Sequence, residues 1–178
     1  IYLIYYYHYY SKIETIVSTI DNKKYEVQIK EDAQEAADLI AQIRQKLVLI
    51  VDHLVKSYPD EDRSKRMKAN FRPDNIKEGI DDPKYTSYSI NKGEKIVLCL
   101  RSRDGQQRIV KENILMFVAL HELAHIMTKS VGHTKEFWDN FEFLLREAIK
   151  NGYYEHIDFN KTPYKYCGVE ITDTPLNR

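Results

Sequence analysis

Cysteine is scarce in this chain, with two among 178 residues, and that scarcity excludes a scaffold built on disulfides. Cys99 and Cys167 read as separate thiols, one buried and one in the tail, which fits a reducing compartment such as cytoplasm or nucleus. An excess of one charge is lacking as well. Lys+Arg and Asp+Glu balance at 27 each, so nothing draws the whole surface towards nucleic acid or acidic lipid, and any such binding needs a local patch. Internal repeats and low-complexity linkers are also missing. The length then fits one domain over residues 1–178, with enough chain to bury a core without staples.

Tyrosine, by contrast, is abundant at fourteen residues, and the chain opens on Ile1-Tyr-Leu-Ile-Tyr-Tyr-Tyr-His-Tyr-Tyr10. Without an initiator Met, the sequence is expected to be a fragment or a processed product. Ten residues are too few to span a bilayer, and no basic region or small-residue cleavage site marks a signal peptide. Tyrosine clusters favour membrane interfaces, so residues 1–10 read either as the trimmed end of a membrane anchor or as a first β-strand.

Weak alternation from Ser11 to Lys30, with Tyr25, Val27 and Ile29 on one side and a turn at Asp21-Asn22-Lys23, predicts a strand or a hairpin. Glu31 to Ser57 is the clearest amphipathic helix: Ala36, Ile40, Ile43, Leu47, Ile50 and Leu54 recur at steps of three and four until Tyr58-Pro59 stops it. Asp60 to Phe71 reads as a short polar helix capped by Asp60. Its bases Arg63, Lys65, Arg66 and Lys68, with Arg72 just beyond, form either a phosphate-contacting patch or a solvated face. Pro73 to Pro83 reads as loop. Tyr85–Ile90 and Glu94–Arg101 are expected strands joined by Asn91-Lys92-Gly93, the second buried for part of its length. Thr134 is placed to cap a last helix bearing Phe137, Phe141, Leu144, Leu145 and Ala148, ended by Asn151-Gly152. The tail, 153–178, has no clear period.

The chemistry lies between these elements, in Phe117-Val-Ala-Leu-His121-Glu122-Leu-Ala-His125. On a helix the four-residue spacing puts both imidazoles on one face, where two ring nitrogens can hold one Zn²⁺. Glu122 follows the first histidine directly, so its carboxylate can take a proton from water activated by the ion. Nearly every other position from Ile114 to Met127 is apolar, and a buried helix does not normally carry two His and a Glu without a partner for them. The pattern H-E-x-x-H is the signature of zinc-dependent peptidases. A catalytic zinc needs a third protein ligand. His133, beyond the turn-forming Gly132, leads the candidates; Glu142 or Glu147 on the next helix, and then Asp139 and His156, are alternatives.

These residues resemble a known family. His121-Glu-Leu-Ala-His125, then Gly132-His133, then Phe137-Trp138 is similar to the core of the WLM metallopeptidases, cousins of the SprT-like proteases. Ile96-Val-Leu-Cys-Leu-Arg101 resembles the apolar strand with a closing Arg upstream of that core. The likeness runs from about Glu31 to Gly152 and is sharp between Glu94 and Trp138. It implies a compact α+β zincin-like fold with long helices on a small mixed sheet, three His ligands, one catalytic zinc and a Glu base. It also implies action on proteins crosslinked to DNA. The link Met127-Thr-Lys-Ser-Val departs from the short Gly-rich segment expected there, and no C-terminal extension offers ubiquitin- or SUMO-binding motifs. A composition rich in Tyr, Lys, Ile and Asn is similar to that of WLM-like proteins of large DNA viruses.

The expected activity is zinc-dependent hydrolysis of peptide bonds. A peptide substrate is expected to add as a strand along Glu94–Arg101, touching Ile96, Leu98 and Leu100, with Tyr153, Tyr154 or His156 steadying the oxyanion. Two other classes compete: a non-catalytic module that keeps zinc for stability, and a nucleic-acid binder using the Arg63–Arg72 patch. Tyr166-Cys167-Gly168-Val169 resembles the cysteine-switch segment of matrix metalloproteases, in which the thiolate would take the fourth zinc position; the alternative is plain packing of the tail.

Overall fold

A computed structural model describes the whole chain, Ile1–Arg178. Helix α1 (Tyr2–Tyr10) leads into a hairpin of β1 (Ile13–Val17) and β2 (Lys24–Gln28), paired antiparallel with Ile13 opposite Gln28. Tyr25 and Val27 point into the core as the alternation predicts, whereas Ile29 lies past the strand end and is exposed. Residues 1–10 are therefore helical, not a strand, and none of them is buried. No helix is long and apolar enough to cross a membrane.

Helix α2 (Ala33–Ser57) buries the predicted stripe, Ala36, Ile40, Ile43, Leu47, Ile50 and Leu54, and forms the floor of the core. Its apolar arc is continuous over seven turns, which gives the remaining helices one surface to pack on. Helix α3 (Asp62–Asn70) follows. It starts two residues later than expected, with Glu61 rather than Asp60 at its cap and no side-chain cap bond.

Part of the expected loop at 73–83 is a strand. Residues 76–78 form β3 (Ile76–Glu78), which runs parallel to β5 (Lys95–Leu98), while β4 (Tyr88–Ile90) pairs with β5 from the other side in antiparallel sense. The order β3-β5-β4 makes β5 the centre of the sheet. A three-residue strand is too short to show a period, so only its partner reveals it.

Helix α4 (Glu112–Met127) is apolar nearly all round and is buried between α2, α3 and α5 (Lys135–Lys150). It ends at Met127, five residues before the glycine expected to break it, and Gly132 instead turns the following segment with φ +83°. Thr134 caps α5 as predicted, accepting from the Phe137 N–H at 3.3 Å, and Asn151-Gly152 ends it. The tail is not featureless: β6 (Tyr164–Tyr166) and β7 (Val169–Ile171) form a hairpin.

That hairpin is bonded to the sheet through a Cys99–Cys167 disulfide, which overturns the reading of two separate thiols and with it the cysteine argument for a reducing compartment. The two residues lie 68 positions apart, so nothing local in the sequence could pair them. Arg101, the Arg that closes the strand, is fully buried and bridges Glu78 of β3, at 2.8 Å, and Asp32 at the start of α2. Glu78 also accepts from the Gln28 N–H at 2.7 Å. This ionic knot ties hairpin, sheet and long helix together at one point.

Candidate metal centre

His121 and His125 stand one turn apart on α4, and the loop after the helix brings His133 back over them. Their three Nε2 atoms are mutually 3.2 Å apart. Tetrahedral zinc with ligand nitrogens at roughly 2.0–2.1 Å would set them about 3.3 Å apart, so the donor set fits that ion. Burial, with the neighbouring imidazoles, pushes His121 down to about 3. Burial, His133 and Lys92 push His125 down to about 4. Both rings are thus neutral at pH 7, with lone pairs free to ligate. Three nitrogens converging without a proton or cation between them would repel, which is a further mark of a metal site.

Phe137 floors the cluster. Its ring stacks on His125 at 4.3 Å and lies 4.9 Å from His121 and 4.8 Å from His133. The aromatic residue that opens α5 therefore sets the ring planes of all three histidines.

Glu122 is 4% exposed, and burial raises its carboxyl to about 7, with the hydroxyl and N–H of Ser89 on β4 pulling the other way. The first residue to touch the Glu122 carboxylate is thus on a strand whose site role the sequence did not disclose. Tyr166 is a second omission. Its buried hydroxyl lies 2.6 Å from Ser87 Oγ, donates to the Cys99 carbonyl at 2.6 Å, and feels the Glu122 charge. Ser87 Oγ in turn accepts from the Cys99 N–H at 2.9 Å. Attention to Cys167 in the sequence passed over the tyrosine beside it.

Other candidates fall elsewhere. Glu142 pairs with Arg146 at 2.7 Å and Asp139 with Lys135 at 2.6 Å, both along the outer face of α5. Glu147 binds His53 at 3.0 Å and Tyr58 at 3.1 Å. None of these acids joins the triad. Tyr154 is buried against Phe117, and burial raises its hydroxyl to about 12. Tyr153 packs on the core, and His156 lines a surface hollow with Arg146, Ile149 and Leu176. Ile96, Leu98 and Leu100 are at most 1% exposed, and β5 is paired on both sides, so this strand offers no edge to a substrate; the outer strands of the sheet are β3 and β4. Cys167, held in the disulfide, has no thiolate to offer a metal, which removes the switch. In the basic patch, Arg63 lies 3.6 Å over Phe143, Arg66 donates to the Met127 carbonyl at 2.8 Å, and Arg72 caps α3 through the Ala69 carbonyl at 2.8 Å. Lys65, Lys68 and Arg72 remain exposed there.

Comparison with known proteins places the chain in a family. A model of the WLM domain matches residues 17–174. Protein R325 of Acanthamoeba polyphaga mimivirus is 35% identical over 175 residues, spanning 93% of this chain and 86% of that protein. Protein 042R of Invertebrate iridescent virus 3 is 46% identical over 70 residues, covering 39% of this chain and 42% of its own length. Among solved structures, a crystallised mutant of Wss1 from Saccharomyces cerevisiae superposes with a TM-score of 0.53 at 25% identity, over 72% of this chain and 91% of the crystallised chain.

Proposed function

The chain belongs to the WLM family of metallopeptidases, with proteins of large DNA viruses among its relatives, and from that premise we propose that it is a zinc-dependent endopeptidase. The observation that carries the reading is the convergence of His121, His125 and His133 on one point, with the Glu122 carboxyl on the same helix beside them. His121, His125 and His133 would hold the zinc, and the ion would supply a Lewis acid for the scissile carbonyl and for water. Glu122 accepts the proton of the attacking water and returns it to the leaving amine. Its burial serves that role, because desolvation raises the carboxyl above the ordinary carboxylate range and makes it a stronger base. Ser89 holds the carboxylate in line.

The peptide substrate is proposed to add beside β4, Tyr88–Ile90, the outer strand whose Ser89 contacts Glu122, which would carry its backbone past that carboxyl. Family resemblance adds DNA-crosslinked proteins as the substrate class; the balanced charge and the internally engaged arginines lend DNA contact no separate support.

Glu122→Gln tests the mechanism. The amide cannot accept the proton, so the variant should bind one zinc per chain like wild type while cleaving casein, or itself, at least about 100-fold more slowly. Assays with and without single-stranded DNA read the substrate class. Equal cleavage by the variant places the base elsewhere. A zinc-loaded wild type that cleaves nothing points to the stability-only module.

A further inference from the structure

His133 rides on the least packed part of the metal centre. Lys129, Val131, Gly132 and His133 are all exposed, Val131 at 86%, so the backbone that carries the third imidazole has no apolar burial to fix its path. Polar contacts hold this segment from two sides. From one side comes Lys92, whose ammonium donates to the carbonyls of Thr128 at 2.6 Å and Lys129 at 3.3 Å, and also to that of Ser130. From the other side Glu136 accepts the N–H of Lys129 at 2.7 Å and that of Ser130 at 3.2 Å. Lys129 and Ser130 therefore have both backbone groups engaged, three residues before His133. Ser130 Oγ lies 2.6 Å from Thr134 Oγ1, which closes the segment on its far side.

Each half of this clamp is itself anchored. Lys92 stands on the β4–β5 turn with φ +50°, next to Gly93 at φ +122°. A Cβ on Gly93 would lie 2.3 Å from the Asn70 carbonyl oxygen, so the turn is seated directly on the end of α3. Glu136 lies 3.9 Å from Arg66, which also donates to the Met127 carbonyl. A lysine that only capped α4 would stop at the last helical carbonyls. Lys92 reaches past them into the loop.

We propose that Lys92 and Glu136 are positioning residues for His133: together they set the path of residues 128–130 so that the third imidazole meets the other two. The inference rests on the reading of the triad as a zinc site. Neither side chain touches the metal position; both act through the backbone that carries a ligand, by ordering it before the ion arrives.

Zinc affinity of the full chain, measured by competition with a chromophoric chelator, decides the matter without any appeal to peptidase activity. Lys92→Met keeps the reach of the side chain and removes its donors. It should weaken zinc binding about 10–100-fold, as loss of a supporting contact does, and Glu136→Ala should do likewise. In a His133→Ala background the same Lys92→Met change should alter affinity less than twofold, because the ligand it positions is gone. Unchanged affinity in the single variants, or an equal loss in both backgrounds, overturns the proposal and leaves Lys92 as a cap. If wild type binds no zinc, the metal reading falls by itself. Amide exchange then judges the clamp: protection at Lys129 and Ser130 should drop at least tenfold in Lys92→Met, and unchanged protection overturns it.

Discussion

At the scale of single residues, the polar side chains with most consequence are those that something else holds in place. Asp38 is an example away from the metal. Burial alone would raise its carboxyl, yet hydrogen bonds from Thr19, Ser18 and Gln34 outweigh that and hold it below its ordinary value. A depressed folded-state pKa contributes stability that is present above the unfolded value, near 3.8, and is lost as pH falls through the folded one. Asp38→Asn should therefore lower the melting temperature at pH 6 and converge with wild type once the pH falls below the folded-state value. A difference that persists at low pH would mean the loss is steric, not ionic. His121 and His125 follow the same principle of support: spacing puts them on one helical face, but Phe137 sets their planes.

Among elements, the joints between β3, β5 and the tail hold the site's walls. Arg101→Met would leave Glu78, which is 0% exposed, buried with its charge uncompensated. Breaking one side of such a pair costs about 3–5 kcal/mol, so urea unfolding of this variant should move to markedly lower midpoint. A shift within error would show that Glu78 takes up a proton at little cost. The tail depends on its crosslink. Cys167→Ser opens a 68-residue separation and should cost about 2–5 kcal/mol, read as a lower melting temperature under non-reducing conditions; wild type with reductant should match the variant. How far were these joints legible? Helix α2 was plain, because its period runs through seven turns. Strand β3 and the tail hairpin were not, because three residues carry no period and their partners come from remote parts of the chain.

For the molecule as a whole, one core of α2, α4 and α5 carries the stability, and the first helix stands outside it. Removal of residues 1–10 forfeits the Tyr9–Lys77 contact and no buried side chain. The melting temperature should change by no more than about 2 °C. A larger drop would mean that α1 shields surface on which the fold depends. Zinc should act on the entire fold by mass action: at 100 times its dissociation constant it adds about 2.7 kcal/mol to stability. Chelator should accordingly lower the melting temperature of wild type, and the gap should shrink in His133→Ala as the affinity falls.

Sequence alone determined the histidine motif and helices α2 to α5. Two histidines at helical spacing with an acid between them are a local pattern, and so are amphipathic stripes and caps such as Thr134; all are written within a few turns of chain. The tertiary structure decided what depends on closure between distant segments. It made β5 an inner strand between β3 and β4, it paired Cys99 with Cys167, and it set Ser89 and Tyr166 near Glu122 and Lys92 beneath the loop of His133. The physical reason is the range of the interactions. Propensity, capping and helical spacing act over neighbouring residues, whereas sheet order, crosslinks and polar clamps exist only once the chain has returned upon itself.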